Sequence, residues 1–363
     1  MRLSKLVSLG LMIMLPVSFT ALACSSLAIS DKNNNVYHGR TLELSDDLPS
    51  WITYYPKSTF FQKLSPNGSN AISYSSKYAI LAITTDVYND GDQHNMFQGL
   101  NDQGLSFSAN MISNFNLAPI AVSDYEHSIP YTSLGEWALS NFSTTKQVAE
   151  AMKSAKFWAP VLDAFGGIQS PFHFVFYDKT GNSIVIEASN GQLKVYDNPT
   201  KVMTNGPSFP WHLENLNNYT QLNNVDHSTS VFGNIRVTQP DSGIAVAALP
   251  SSDTSVGRFI RAVYYTSYAP KVNNPSDAMN VLAHIMNRFD RLKDITVDDS
   301  INESSEKTTI QSSEYTVWTS LSDLSGGNIM VRGYNDINYS QYSLEQYKNS
   351  QSAVFVQINT NKL

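Results

Sequence analysis

The stretch Ala21-Leu22-Ala23-Cys24-Ser25-Ser26-Leu27-Ala28-Ile29-Ser30, then Asp31-Lys32-Asn33-Asn34-Asn35, then Val36-Tyr37-His38-Gly39-Arg40-Thr41-Leu42-Glu43, decides how this chain reads. Cys24 is its only cysteine. Ahead of it, Arg2 and Lys5 give a basic start, Leu6 to Thr20 an apolar run, and Ala21-Leu22-Ala23 a small-x-small cleavage signature. That is the layout of a secretory leader, which predicts an exported protein, periplasmic or secreted. Cutting after Ala23 makes Cys24 the first residue of the mature chain, with a thiol and a free α-amine on one carbon. Behind it, two apolar-rich runs, 25–30 and 36–42, flank five turn formers and read as a β-hairpin. The hairpin returns Arg40 and Glu43 toward the start of the Cys24 strand.

The bulk properties fit this reading. Of 363 residues, about 340 remain after the leader, and 42% of the chain is apolar, enough for a sizeable core. Loss of Arg2 and Lys5 takes the formal charge from −7 to −9. With no basic block, nucleic acid is not an expected partner. No second apolar run reaches the roughly 18 residues of a bilayer span. One cysteine makes no internal disulfide, so an exported lone thiol calls for another explanation. Besides an N-terminal nucleophile, three readings stay open: a small buried hydrophobe, the lipid-modified cysteine of a lipoprotein that binds without catalysis, and a papain-like nucleophile. Lipoprotein signals prefer Leu or Val where Ala21 stands. A papain-like Cys opens a helix, whereas Ser25 to Ile29 reads as a strand.

Further along, strands are expected over 78–84, 104–111, 172–177, 183–187, 193–196, 202–204, 316–322 and 328–334, the last two around Gly326-Gly327. Helices are expected to open at Ser133 with Glu136 as a capping box, at Thr144 with Gln147, over 254–268, and at Asn274-Pro275. The last bears Ala278, Val281, Leu282, Ile285, Met286 and Phe289 at helical spacing, a core stripe rather than a cofactor box. Residues 291–315 read as a polar surface connection. No repeat or linker divides residues 24–363, which are expected to form one α+β domain of antiparallel sheets with helices outside.

An N-terminal Cys acting on an amide needs positive charge near the thiol, an acceptor for the amine and donors for an oxyanion. Arg40, Glu43, Asn205 and Arg258 are the candidates. Each has an ordinary alternative: a strand-end Arg, a surface carboxylate, an Asn-Gly turn and a solvent-facing helical Arg.

Together these residues resemble the choloylglycine hydrolase family, which contains bile salt hydrolases and penicillin V acylases and belongs to the N-terminal nucleophile (Ntn) hydrolases. Cys24 with His38-Gly39-Arg40-Thr41-Leu42-Glu43 is similar to the family's opening. Asn101-Asp102-Gln103-Gly104-Leu105-Ser106 resembles its Asn-Glu-x-Gly-Leu turn. Met203-Thr204-Asn205-Gly206-Pro207 with His212-Leu213-Glu214-Asn215-Leu216 is similar to its Thr-Asn-x-Pro segment and the His-x-Glu-Asn-Leu stretch after it. Ser255-Val256-Gly257-Arg258-Phe259-Ile260-Arg261 resembles its Ser-x-x-Arg-Phe-x-Arg helix. The resemblance implies a four-layer αββα sandwich, often a homotetramer, that hydrolyses linear non-peptide amides with a bulky apolar acyl group and needs no metal or other cofactor. It implies Cys24 as nucleophile with its own amine as base, Arg40 and Arg258 beside the thiolate, Glu43 on the amine and Asn205 at the oxyanion. Two positions depart from the pattern. Glu43 stands where the family often has Asp, and Met111 stands where it has an oxyanion Asn or Tyr. There either the Met111 backbone N–H donates, or a one-residue bulge brings in Asn110. Pocket loops are expected over 44–62, 85–98 and 112–130, with Trp51, Tyr54, Tyr55, Phe60, Tyr88, Phe97, Phe115 and Tyr125. The substrate classes this allows are penicillin V, conjugated bile salts and N-acyl homoserine lactones.

Overall fold

The computed structural model describes residues 23–45, 47–86, 94–163, 167–302 and 307–358, with the backbone alone over 298–302 and 307–312. The expected leader up to Leu22, and Tyr88 of the expected pocket, lie outside the described residues. Strand β1 (Cys24–Ser30) and strand β2 (Val36–Leu44) form the expected hairpin, with Ser26 opposite Arg40 and Cys24 opposite Leu42. They are central in a six-stranded antiparallel sheet whose order is 202–203, β1, β2, 315–323, 328–333, 340–343.

An eight-stranded antiparallel sheet faces it. Its order is 192–197, 183–189, 172–178, 105–111, 95–101, 80–85, β3 (Ser50–Tyr55) and 354–357. Helices α4 (Ser255–Tyr268) and α5 (Pro275–Met286) cover the outer face of the smaller sheet. Helices α1 (Leu134–Asn141) and α2 (Thr145–Ala151) lie against the larger one. The result is the expected αββα layering. A short helix α3 (Phe209–Asn215) follows the 202–203 strand.

Close approach of layers explains two glycines. At Gly39 on β2 a Cβ would lie 2.7 Å from Met286 Sδ of α5, and at Gly135 on α1 it would lie 2.0 Å from the Phe107 ring. The helix starts are less uniform than the sequence suggests. Thr144, Thr254 and Asn274 cap α2, α4 and α5 through their side chains. Ser133 does not cap α1. A 3₁₀ turn, Tyr131–Ser133, runs straight into that helix, and Glu136 is spent on a buried pair with Lys63. Phe289 is buried but lies past the end of α5. Within 291–315 the chain forms a two-stranded ribbon, 298–302 with 307–312. Tyr54 and Tyr55 are buried inside β3 rather than on a pocket loop, because β3 is the second-last strand of the larger sheet.

Candidate active site

Cys24 begins β1, and its thiol is buried between the sheets at 2% exposure. Arg40 projects from β2 on the same face. Its Nη2 approaches Cys24 Sγ at 3.8 Å and donates to the Ala109 carbonyl at 2.6 Å, while Nη1 donates to the Phe97 carbonyl at 2.7 Å. The guanidinium lies between the Trp318 and Phe97 rings, 5.1 and 5.8 Å from their centroids. Arg258 reaches in from the first turn of α4. Its Nη1 donates to the Cys24 carbonyl at 2.5 Å and to Ser25 Oγ at 2.7 Å, and its Nε donates to the Asp253 carbonyl.

Asn205 joins these groups. Its Oδ1 accepts from the Cys24 backbone N–H and from Arg258 Nη2, both at 2.7 Å, and its Nδ2 donates to the Met111 carbonyl at 2.8 Å. Glu43 is fully buried and follows Leu42, the residue opposite Cys24. Its backbone N–H donates to the Ala23 carbonyl at 2.9 Å, and its Oε1 accepts from Thr316 Oγ1 at 3.4 Å, leaving Oε2 without a partner. The atom that takes the hydrogen bond of the Cys24 nitrogen is Asn205 Oδ1, not a Glu43 oxygen.

The choice between Asn110 and Met111 has a geometric answer. Strand 105–111 pairs with 172–178 without a register shift, so there is no bulge. Side chains alternate along a strand. Ser106 and Ser108 face the smaller sheet through His38, and Asn110 is next on that same inner face. Asn110 Nδ2 donates to the Thr204 carbonyl at 2.9 Å, and its Oδ1 is buried without a partner. Met111 turns its side chain to the other face and offers its carbonyl to Asn205.

The electrostatics stem from burial. Neither Arg40 nor Arg258 has a carboxylate at ion-pair distance among the described residues; Cys24 is the main charge partner of Arg40, and Glu43 followed by Cys24 that of Arg258. Buried unpaired cations are costly, and a thiolate would offset that cost. In the intact chain burial pushes the Cys24 thiol above its usual range; Glu43 adds to that rise, while Arg40 and, more weakly, Arg258 pull it down. Burial likewise lifts Glu43 to about 7, with Arg258 pulling it down.

Further groups support the site. His173 Nδ1 meets Glu187 Oε1 at 2.9 Å, and its Nε2 meets the Thr204 carbonyl at 3.0 Å. His212 Nε2 meets the Asn205 carbonyl at 3.0 Å, and its ring stacks on Phe259 at 4.5 Å. Ser255 Oγ accepts from the Asn205 N–H. These contacts hold the Thr204-Asn205 segment from both sides. The His-x-Glu-Asn-Leu motif flagged His212; His173 and Glu187 sit in plain strand sequence and gave no signal.

Comparison with known proteins adds the family. A model of linear amide C-N hydrolases, choloylglycine hydrolase family, matches residues 24–355. The chain belongs to that family. It is thus an amidohydrolase of linear amides. Its match begins at Cys24, the residue at the centre of the geometry above. The bile salt hydrolase/transferase of Clostridium perfringens is 28% identical over 326 residues, covering 87% of this chain and 91% of that one. That of Lactiplantibacillus plantarum is 26% identical, covering 88% and 92%. In structure, a Cys-to-Ala variant of the conjugated bile acid hydrolase from C. perfringens superposes with a TM-score of 0.77 at 24% identity, covering 93% and 97%. Penicillin V acylase from Agrobacterium tumefaciens superposes with a TM-score of 0.69 at 18% identity, covering 90% and 88%. Both share the Ntn-hydrolase fold with this hydrolase.

Proposed function

We propose that the chain is exported, cut after Ala23 into a single mature domain of residues 24–363, and then hydrolyses amides by attack of Cys24. The observation that carries this reading is the buried Sγ with Arg40 Nη2 3.8 Å away and the Cys24 nitrogen on Asn205. Release of the amine supplies a base with a pKa near 8 beside a thiol near 8.5, so the proton moves between them at little cost. Removal of Ala23 also takes away the carbonyl that the Glu43 N–H now donates to. Arg40 and Arg258 then favour the thiolate.

The sulfur attacks the amide carbon, and the carbonyl electron pair moves onto oxygen. The Asn205 and Asn110 amides and the Met111 backbone N–H are the donors for that oxyanion, and each amide must release the carbonyl it now holds. The tetrahedral species collapses, the amine passes its proton to the leaving nitrogen, and a thioester remains. Water, deprotonated by the same amine, releases the acid. Asn205 Oδ1 holds the amine in line for both transfers, and Glu43 sets the local charge.

The substrate is an amide with a bulky apolar acyl group, of the conjugated bile salt, penicillin V or N-acyl homoserine lactone class. The named activities of the sequence relatives support the first. A homotetramer is part of this proposal. The exposed hairpin of Thr229–Phe232 and Ile235–Thr238, with Val231, Phe232 and Ile235 open to solvent, supports it as an apolar surface of the kind that marks interfaces.

Mass spectrometry of the exported protein tests the reading, with an unmodified chain beginning at Cys24 expected. A diacylglyceryl mass on Cys24 would favour the lipoprotein instead. Turnover of an acyl-amide panel by a Cys24→Ala variant at wild-type rate would remove the nucleophile assignment.

A further inference from the structure

The space between the two sheets is not uniformly apolar. Further along β2 it holds His38, fully buried, with Nε2 2.9 Å from Ser26 Oγ and 3.0 Å from Ser108 Oγ, and Nδ1 2.8 Å from Ser106 Oγ. Ser26 Oγ also meets Tyr177 Oη at 3.2 Å, and the Tyr177 ring lies 4.6 Å from the imidazole. Three of these residues each stand two positions from a group of the active site, on the same strand and face. Ser26 comes two residues after Cys24 on β1, His38 two before Arg40 on β2, and Ser108 two before Asn110 on the opposing sheet.

We propose that His38 is a positioning residue: it fixes the spacing of the three strands that present Cys24, Arg40 and Asn110. The proposal rests on the reading of Cys24 as nucleophile. The alternative is a histidine that merely satisfies a core. For stability alone a well-packed apolar cluster serves as well as a buried polar one or better. Hydrogen bonds near 2.9 Å add direction, and a catalytic group must be held within about 0.5 Å. Burial, aided by the charge of Arg40, drops the imidazole to about 3, so His38 stays neutral and its bonding pattern is constant across working pH.

The test uses the mature enzyme and two readouts, steady-state turnover of the amide it cleaves fastest and the pH profile of Cys24 alkylation by iodoacetamide. His38→Leu is expected to lower kcat by at least about tenfold, with KM changed less than about threefold, since small misplacements cost rate before binding. The alkylation midpoint shifts as the Arg40 contact changes. His38→Gln, which keeps a donor and an acceptor, is expected to return kcat to within about threefold of wild type. Leu282→Ala, behind β2 on the α5 side, destabilises without altering either readout. Wild-type kcat and alkylation in His38→Leu would overturn the proposal, as would an equal kcat loss in Leu282→Ala. If His38→Leu does not fold, Ser108→Ala removes one arm; unchanged kcat and alkylation there would also overturn it. Turnover by Cys24→Ala would instead remove the nucleophile reading, leaving the alkylation result on His38 to stand by itself.

Discussion

Arg40 and Arg258 differ in what they do for Cys24. Arg40 touches the sulfur, whereas Arg258 binds the carbonyl of the same residue and Asn205. Removing Arg40 is therefore expected to slow thiol alkylation at pH 7 by at least about tenfold, one pKa unit. Arg258→Leu should slow it less, and equal rates in both variants would contradict this ordering. Glu43 gives a second residue-level test. Its folded value of about 7 lies above the ordinary 4.5. Its contribution thus favours the fold at low pH and is lost as pH rises through 7, by on the order of 3 kcal/mol. Glu43→Gln should flatten the fall in Tm between pH 5 and pH 8; an unchanged fall would mean that the carboxyl is not held in that environment. At this scale the sequence named Cys24, Arg40, Glu43, Asn205 and Arg258, and the fold gathers all five. It did not distinguish Asn110 from Met111, because that depends on whether a strand carries a bulge, and bulges leave no fixed mark in one sequence. Nor did it show that Asn205, rather than Glu43, accepts from the Cys24 nitrogen, because that depends on side-chain direction.

Among the elements, β2 and α1 are both closely fitted against the next layer. The Gly39→Ala methyl would press on Met286, a flexible thioether side chain that can yield. The Gly135→Ala methyl would press on the Phe107 ring, which is buried between α1 and the larger sheet. Overpacking costs about 1–3 kcal/mol or more, and Gly135→Ala is expected at or above the top of that range, Gly39→Ala toward the bottom. Urea unfolding of both variants measures this, and the reverse order would contradict the packing described. The hairpins and α4 were legible because turn formers and caps are local. At the start of α1 the Ser-x-x-Glu pattern suits a cap, but Glu136 is taken by Lys63, a partner 73 residues away in sequence.

For the whole molecule, the layering was legible from the order of strands and helices and from the family resemblance, whereas the depth of polar burial between the sheets was not. His38, Ser106 and Ser108 look like ordinary alternation until two sheets close over them. The proposed tetramer also belongs to this scale. Replacing Val231 and Ile235 with Asp is expected to yield a smaller species by light scattering with subunit folding retained; an unchanged mass would place assembly elsewhere. The central claim is that Cys24, freed at its amine, carries the acyl group. Its most direct test is mass spectrometry of the enzyme quenched in acid during turnover of a slow amide. The account predicts an acyl mass, labile to hydroxylamine, on an N-terminal peptide that begins with Cys24. Sustained turnover with that peptide never acylated, or with residues before Cys24 still attached, would contradict it.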